Sequence, residues 1–347
     1  MDQPRGAHLV GSVPLASAEE VFRTASATLG SHLRRIPDGE TGDRSRWVGW
    51  QGFAFKRLPQ FELVRPAPGQ YPPTPRFRLR AGADLAGASF GNLGYADEAL
   101  RSFGVFESLQ AEGVIRPGVR FQVSLPTPLA PVAVFVVDQA QAAVEPLYEG
   151  QLLAELWRIL DGIPHERLAL QWDVCIEVWL WERWLAAPFD DVEQEILARL
   201  ARLGTAVPGD VELGFHLCYG DYQHEHFRQP ADASILTEMA NGICAGVERP
   251  VQWLHVPVPI DRADDGYFRP LAGLAAHEGI EVYLGLVHFR DGVQGTRTRA
   301  RTALRHVAAF GVAAECGLGR RPPGRGGAPG TLIPLLETHA VCSHPVF

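Results

Sequence analysis

The stretch VELGFHLCYG (residues 211–220) joins a short apolar run to a histidine and a cysteine near its end. An apolar run of this length is typical of a strand that is buried on both faces of a parallel sheet. Side chains two residues apart on a strand point to the same side, so His216 and Cys218 share one face. The stretch therefore predicts a buried strand that ends either in a metal-binding pair or in two packed core side chains.

Similar apolar runs recur along the chain, with helical patterns between them. The predicted strands are residues 8–13, 34–39, 120–126, 168–174, 211–217, 250–256, 281–287 and 311–316. The predicted helices carry apolar residues at i, i+3 and i+4 spacing and are residues 17–29, 151–160, 191–203, 233–247 and 298–310. Eight β-then-α units in one chain predict an α/β fold, a (β/α)8 TIM barrel. A doubly wound open sheet is the alternative, but GSVPLAS (11–17) matches its glycine-rich turn poorly.

Two segments interrupt this repeat. Residues 51–92 are rich in proline and aromatic residues, and they predict an elaborated loop or a small hairpin inserted in the barrel. The stretch GRRPPGRGGAPGT (319–331) has the composition of a linker, and a short helix is predicted after it. We therefore expect a single barrel over residues 1–320 and a C-terminal extension over residues 321–347.

The composition narrows the class of protein. With 347 residues and 46% hydrophobic content, the chain can bury one large core, and its net charge of −8 disfavours a nucleic-acid-binding protein. No apolar run approaches the roughly 18 residues that span a bilayer, and MDQPRGAHLVG lacks a signal-peptide pattern. Five cysteines without a secretion signal favour free thiols or metal ligands over disulfides. We expect a cytoplasmic protein with a small-molecule substrate, and a homo-oligomeric state is compatible with the sequence.

Polar residues gather at the carboxyl ends of the predicted strands, where the chemistry of a barrel of this kind lies. They are Gly11 and Ser12, Asp38 and Glu40, Asp173 and Glu177, His216 and Cys218, His255, His288 with Arg290 and Asp291, and Glu315 with Cys316. Thiolates together with imidazole suit zinc, so His216, Cys218 and Cys316 are candidate ligands. His255 would be a fourth ligand, although a catalytic zinc keeps one position open.

Several of these residues also have a purely structural interpretation. Free cysteine is among the most buried residue types, so a lone His-x-Cys pair is more often packing than chemistry. Asp38 and Glu40 are equally typical of turns and helix caps. The sequence places Cys175 and Cys244 in the core, while His224 and His226 form a loop cluster that either reaches the site or stays on the surface.

Taken in order, the motifs GSVP, DGE, QWD, HLCY, a late histidine and ECGLGRR resemble the catalytic barrel of cobalamin-independent methionine synthase. That barrel belongs to a superfamily shared with uroporphyrinogen decarboxylase, and the resemblance covers essentially the whole chain. It implies zinc ligands at His216, Cys218 and Cys316, homocysteine-binding residues at Gly11, Ser12, Glu40 and Asp173, and a proton-donating histidine at His288. Glu40 would bind the ammonium of homocysteine.

The chain also departs from the family pattern. The family's glutamate ligand should lie on the sixth strand, where QWLHVPVPIDR (252–262) offers His255 instead. Only Asp173 remains of the family's DEP motif, and LPTPLAPVAVF (125–135) lacks the tryptophan that stacks on the folate pterin. We expect the protein to lack the second, N-terminal barrel of the family enzyme. These departures favour a divergent relative in which methyltetrahydrofolate is not the donor.

The sequence as a whole predicts a zinc-dependent transferase that activates a thiol, or a similar soft nucleophile, for methyl or alkyl transfer. His288 and Asp173 would be catalytic, and Gly11, Ser12, Glu40, Asp173 and Arg290 would bind the substrate. One alternative is a metal-independent lyase or decarboxylase, in which the acids and Arg290 bind a carboxylated substrate. Others are a zinc hydrolase, with a base from His224, Glu225 or His226, and a barrel kept only for binding. The substrate and the alkyl donor stay open.

Overall fold

The computed structural model describes residues 6–64, 75–220, 228–275, 279–320 and 329–343. Its strands are β1 (Ala7–His8), β2 (Arg35–Pro37), β3 (Phe61–Val64), β4 (Arg76–Leu79), β5 (Arg120–Pro126), β6 (Leu168–Val174), β7 (Glu212–Leu217), β8 (Trp253–Pro257), β9 (Glu281–Val287) and β10 (Gly311–Ala314). Its helices are α1 (Ala18–Leu29), α2 (Gly52–Arg57), α3 (Tyr95–Ala111), α4 (Leu129–Phe135), α5 (Asp138–Gly162), α6 (Ile176–Trp181), α7 (Val192–Thr205), α8 (Ser234–Gly246), α9 (Asp265–Phe268), α10 (Gly292–Ala303) and α11 (Pro329–Cys342).

Eight of these strands form one parallel sheet that closes on itself. Their order is β1-β10-β9-β8-β7-β6-β5-β2, and a parallel bridge between Ala7 and Leu33 joins its two ends. Helices surround the sheet, so the strands are buried on both faces, as their continuous apolar runs indicate. The predicted (β/α)8 barrel is confirmed, and it brings the carboxyl ends of all eight strands to one mouth.

Several predicted elements coincide closely with the observed ones. Strands β5, β6 and β9 have the predicted bounds, and helix α1 begins after Ser17, whose hydroxyl accepts the N–H of Glu20. Strand β1 is shorter than predicted. Beyond His8 the backbone carbonyls of Leu9 and Val10 accept the side-chain amide of Gln122 instead of a neighbouring strand. The extended segment therefore continues to the site outside the hydrogen-bonded ladder.

The predicted hairpin in residues 51–92 is confirmed by the antiparallel pairing of β3 with β4, while residues 65–74 lie outside the described part. A 3-10 helix (Gly42–Gln51) and α2 lead into it. Phe55 of α2 is fully buried and contacts the rings of Phe61, Phe77 and Phe90. These aromatic contacts attach the hairpin to α2.

The C-terminal helix α11 packs against α1 and α10, between the first and last helices of the barrel. The hydroxyl of Ser343 also hydrogen-bonds His32 Nδ1 at 2.8 Å, which ties the end of the described chain to the α1–β2 connection. This helix covers β9 and β10, although its sequence is separated from them by the proline- and glycine-rich linker. No helix in the described ranges is long and apolar enough to cross a membrane.

Candidate metal and substrate site

Two thiols and an imidazole meet at the mouth of the barrel. His216 is in β7, Cys218 is the first residue after β7, and Cys316 lies just beyond β10. All three side chains are buried. Their ligand atoms lie within 4.8 Å of one another, and the two Sγ atoms are 3.8 Å apart. A tetrahedral zinc with Zn–S bonds of about 2.3 Å separates two sulfur ligands by about 3.8 Å. The donor set and its spacing therefore fit zinc.

His255, from the neighbouring strand β8, is paired in register with His216. The two rings approach through their Nδ1 atoms at 2.7 Å, and His255 Nε2 lies 2.9 Å from the carbonyl oxygen of Ala314. A carbonyl only accepts hydrogen bonds, so Nε2 of His255 carries the hydrogen. Burial lowers the pKa of His255 to about 4, and the neutral ring then accepts at Nδ1.

This arrangement fixes the tautomer of His216. Its Nδ1 must donate to His255, and in the neutral ring the lone pair is then on Nε2, the form of imidazole that binds metal ions. A metal-binding histidine commonly has its other nitrogen held in this way. Both nitrogens of His255 are engaged, and the ligand-atom cluster consists of His216, Cys218 and Cys316 without it.

The thiol of Cys218 also receives a backbone hydrogen bond. The N–H of Gly220 donates to its Sγ at 3.3 Å, and such a contact favours the thiolate form. Gly220 has φ +81°, and a Cβ at this position would lie 2.2 Å from the Trp179 ring. The glycine thus allows both the turn and the approach of Trp179.

A third thiol lies beside this pair. Cys175, which follows β6, is buried and packs against Cys218 and Cys316, and Trp47 and Trp179 cover the three sulfurs. Trp179 is held by a hydrogen bond of 2.6 Å from its Nε1 to the carbonyl oxygen of Tyr219. The core position predicted for Cys175 is therefore at the edge of the site, while Cys244 is half-buried on α8.

Glu40 reaches the site from an unusual backbone conformation. Its φ is +48°, in the left-handed region that non-glycine residues rarely adopt, and it follows Gly39, which has φ +83°. A Cβ on Gly11 would lie 2.6 Å from Glu40 Oε1, so the carboxylate occupies the space that this glycine leaves in the segment after β1. A strained backbone beside a site is a common sign of a functional constraint.

The turn that presents Glu40 is held by Asp38. Its Oδ1 accepts the N–H of Glu40 at 2.9 Å, and its two carboxylate oxygens bond the guanidinium of Arg44. The turn-forming role of Asp38 is therefore observed, and the bidentate Arg44 pair fixes it. Asp38 and Arg44 support the turn, whereas the Glu40 carboxylate lies against Gly11.

Ser12 and Asp173 both lie at the mouth, Ser12 in the segment after β1 and Asp173 in β6. The carbonyl of Ser12 accepts the N–H of Gly319, and a Cβ on Gly317 would lie 2.2 Å from the Ser12 hydroxyl. Asp173, at the end of β6, is in register with His216 on β7. The amide of Gln171 donates to Asp173 Oδ1 at 2.9 Å, which orients the carboxylate.

His288, just beyond β9, is buried between two acceptors. Its Nε2 lies 2.8 Å from the carbonyl oxygen of Val258, and its Nδ1 lies 3.3 Å from Glu315 Oε1. Glu315 directly precedes Cys316 in the chain, so the residue that faces His288 is the neighbour of one of the clustered thiols. Sequence reasoning noted Glu315 at a strand end but did not assign it as the partner of His288.

Other predicted site residues are separate from this cluster. Arg290 lies in the exposed loop after His288. His224, Glu225 and His226 lie outside the described residues. Sequence reasoning also missed Tyr95 and Gln122, which line a small cavity with Glu40. A polar Gln122 inside the apolar run RFQVSLP was a usable signal, whereas nothing in the sequence around Tyr95 marks it.

Three solved structures share this fold over nearly the full length of each chain. A protein from Listeria monocytogenes assigned as a vitamin-B12-independent methionine synthase has 12% identity and a TM-score of 0.58 over 99% of this chain and 98% of its own. A B12-independent methionine synthase from a Shewanella species, solved with selenomethionine, has 11% identity and a TM-score of 0.57 over 98% and 97%. A methyltransferase from Methanosarcina mazei has 12% identity and a TM-score of 0.58 over 99% and 93%.

No protein-family model and no curated protein matches the sequence. At 11–12% identity the structural likeness shows the fold alone. The chain therefore has the (β/α)8 barrel that these three proteins also have, and its chemistry must be argued from its own residues.

Proposed function

We propose that the protein is a zinc-dependent transferase that activates a thiol, or a similar soft nucleophile, for methyl or alkyl transfer. The observation that carries the proposal is the pair of buried thiols, 3.8 Å apart, beside His216 at the mouth of the barrel. All three structural neighbours are described as methionine synthases or as a methyltransferase, which supports methyl transfer as the general reaction.

In this proposal His216, Cys218 and Cys316 hold the metal, and the fourth position is left to the substrate. Zinc, when bound, lowers the pKa of a thiol and keeps it as a thiolate nucleophile. His255 keeps His216 in the metal-binding tautomer through the 2.7 Å contact of their Nδ1 atoms. The Gly220 N–H stabilises the charge on Cys218. His255 thus serves as a positioning residue, in place of the fourth ligand considered from the sequence.

The acids at the mouth would bind and orient the substrate. Glu40 and Asp173 would anchor a cationic group, and the backbone of Gly11 and Ser12 would lie along the polar end of the substrate. One structural neighbour was solved with selenomethionine, an amino acid with a soft side-chain atom. An amino acid that carries a thiol or a thioether is therefore the substrate class that we propose.

His288 would move the proton that the transfer requires. Its Nε2 bonds the carbonyl of Val258 and its Nδ1 faces Glu315, so the ring is held by a contact on each side. A positioned histidine is the commonest general acid or base in enzymes. The orientation of the ring supports the role that we propose for His288, while Arg290 would contact the substrate only from the loop.

Metal analysis tests the proposal directly. Protein purified without added metal should contain about one zinc per chain, and cobalt exchanged into the site should give the charge-transfer absorption of a thiolate ligand. A chelator should abolish thiol alkylation, with homocysteine as the acceptor, and zinc should restore it. Metal-free protein that keeps its activity in chelator would refute the proposal. If Cys218→Ser then kept the activity, the lyase alternative would be favoured.

A further inference from the structure

The side chain of Arg299 is buried beside the loop that carries His288. Arg299 lies in α10, and only 2% of its surface is exposed. A buried guanidinium needs acceptors for its five N–H groups, because a charge without hydrogen bonds is costly to remove from water. The groups that accept from Arg299 are therefore held firmly in place.

All five N–H groups of Arg299 donate a hydrogen bond. Nε and Nη2 donate to the carbonyl oxygen of Leu286, at 3.0 and 2.9 Å. Nη1 and Nη2 also donate to the two carboxylate oxygens of Asp291, at 2.7 and 2.9 Å. Nη1 donates in addition to the carbonyl oxygen of Ile260, at 2.8 Å. Arginine alone has the planar fork that presents its donors in this arrangement.

Two of these acceptors enclose His288 in the chain. Leu286 precedes the histidine by two residues and Asp291 follows it by three, so one rigid group is bonded to the chain on both sides of His288. Within this span Phe289 and Arg290 are exposed, whereas His288 is buried. The guanidinium thus holds both ends of a loop whose middle faces solvent.

The third acceptor connects Arg299 to the hydrogen-bond partner of His288. Ile260 lies two residues beyond Val258, whose carbonyl oxygen is 2.8 Å from His288 Nε2. Strands β8 and β9 end directly before Val258 and His288, so the imidazole and its acceptor belong to two different loops. Arg299 is bonded to both loops, and it therefore fixes one relative to the other.

We propose that Arg299 is a positioning residue for His288. Its bonds to the loops after β8 and β9 hold the imidazole where it can exchange a proton with the substrate. A displacement of about 1 Å in an active site can cost about 100-fold in rate, so such a brace would matter to turnover. The inference rests on the role of His288 in the proposed function. It also gives Asp291, one of the polar residues noted at the strand ends, a place in the brace.

The first test observes His288 directly. In protein with ¹⁵N-labelled histidine, its Nε2–H should give an NMR signal, because it is buried and bonded to Val258. His288→Gln identifies this signal by its absence. We expect the signal to disappear in Arg299→Lys, since an ammonium has three N–H groups and no planar fork.

The internal control is the Nε2–H of His8, which donates to Gln171 at 2.9 Å inside the same barrel. Its signal should be retained in Arg299→Lys. A variant that keeps the His288 signal, or that loses it only together with the His8 signal, would overturn the inference.

The second test measures turnover. In the alkylation of homocysteine, Arg299→Lys should lower kcat about 10- to 100-fold while KM and zinc content stay within about twofold of wild type. The matched control is Arg249→Lys. Arg249 also donates to backbone carbonyls, among them those of Val207 and Val211, but it joins the segments that lead into β7 and β8, at the other end of the barrel. Equal losses of kcat in the two variants would overturn the inference, because general loosening would then explain both.

A milder substitution keeps the test decisive if Arg299→Lys does not fold. Asp291→Asn leaves the acceptors of Leu286 and Ile260 in place, but its amide nitrogen cannot accept from the guanidinium. The Asp291 side chain is 34% exposed, so we expect the variant to fold. The His288 signal should weaken, and kcat should fall at least about threefold. A signal and a kcat equal to those of wild type would contradict the role of the brace.

The NMR signal also separates this inference from the proposed function. It reports the position of His288 without turnover, so an inactive, zinc-free wild type would contradict the transferase while the response to Arg299→Lys still tested the brace. An active, zinc-loaded wild type whose His288 signal and kcat were the same in Arg299→Lys would do the reverse.

Discussion

His216 and His255 face each other across strands β7 and β8 with their Nδ1 atoms 2.7 Å apart. Since His255 Nε2 is committed to the carbonyl of Ala314, the pair has one consistent arrangement of hydrogens when both rings are neutral. The sequence offered His255 as a metal ligand, whereas in our proposal it orients the ligand His216 through this contact. Whether His255 binds the metal or only orients His216 can be distinguished by measuring metal affinity.

Replacing His255 should weaken zinc binding without removing a ligand. We expect His255→Leu to lower zinc affinity about 10- to 100-fold, because the tautomer and orientation of His216 are no longer fixed. Competition with a chromogenic chelator measures this. The control is His8→Leu, since His8 is also buried in the barrel but bonds Gln171 instead of His216. If both variants bound zinc as tightly as wild type, His255 would have no role in the site.

The three clustered cysteines should differ in their need for metal. Cys218→Ser and Cys316→Ser each remove a proposed ligand and should lose most of the bound zinc after dialysis. Cys175→Ser should retain it, because Cys175 packs against the other two thiols but lies outside the ligand-atom cluster. Metal content per chain is the measurement. Equal zinc loss in all three variants would mean that the ligand set includes Cys175.

Glu315 should affect turnover more than substrate binding. Glu315→Gln removes the carboxylate that faces His288 Nδ1, so the proton transfer should slow. We expect kcat to fall about 100-fold, a typical contribution of a positioned acid or base, with KM and zinc content nearly unchanged. In a double-mutant cycle with His288→Ala the two losses should not add, because both residues act in one step. Additive losses would show that they act independently.

Gly11 should be required for the position of Glu40. In Gly11→Ala the new methyl group would lie 2.6 Å from Glu40 Oε1, so the carboxylate has to move. We expect the dissociation constant of L-methionine to rise about tenfold or more, from the loss of a charged hydrogen bond. Gly104→Ala is the control, because a Cβ there meets nothing within 4 Å and favours helix α3. Unchanged binding in Gly11→Ala would mean that Glu40 does not contact the ligand.

Glu177 should make stability depend on pH. Burial raises its pKa to about 7, and the Thr127 hydroxyl opposes the shift only in part. An unfolded glutamate has a pKa near 4.3, so between about pH 4 and 7 the folded state holds a proton that the unfolded state has lost. Stability from this group is therefore present at low pH and is lost as the pH rises through 7, by about 3 kcal/mol.

Glu177→Gln isolates that contribution, because the amide does not ionise. Urea unfolding at pH 5 and pH 8 should show a smaller loss of stability for the variant than for wild type over this interval. The same loss in both proteins would show that Glu177 is not buried in its protonated form.

Much of the fold could be read from local patterns. Apolar runs such as LALQWDV and EVYLGLV have the bounds of observed strands, because burial on both faces requires an unbroken apolar stretch. Positions at strand ends also brought His216, Cys218 and Cys316 together correctly. The short β1 was not predictable, since it depends on Gln122, a side chain more than 100 residues away that bonds Leu9 and Val10.

The sequence by itself determined the barrel and the mouth at which its polar residues meet, because both follow from periodicity and from where each strand ends. The tertiary structure alone decided which groups each polar residue contacts there. It made His255 the partner of His216, put Glu315 against His288, and gave Glu40 two companions in Tyr95 and Gln122. These roles depend on ångström-scale contacts between distant segments, and no local pattern in the chain encodes them.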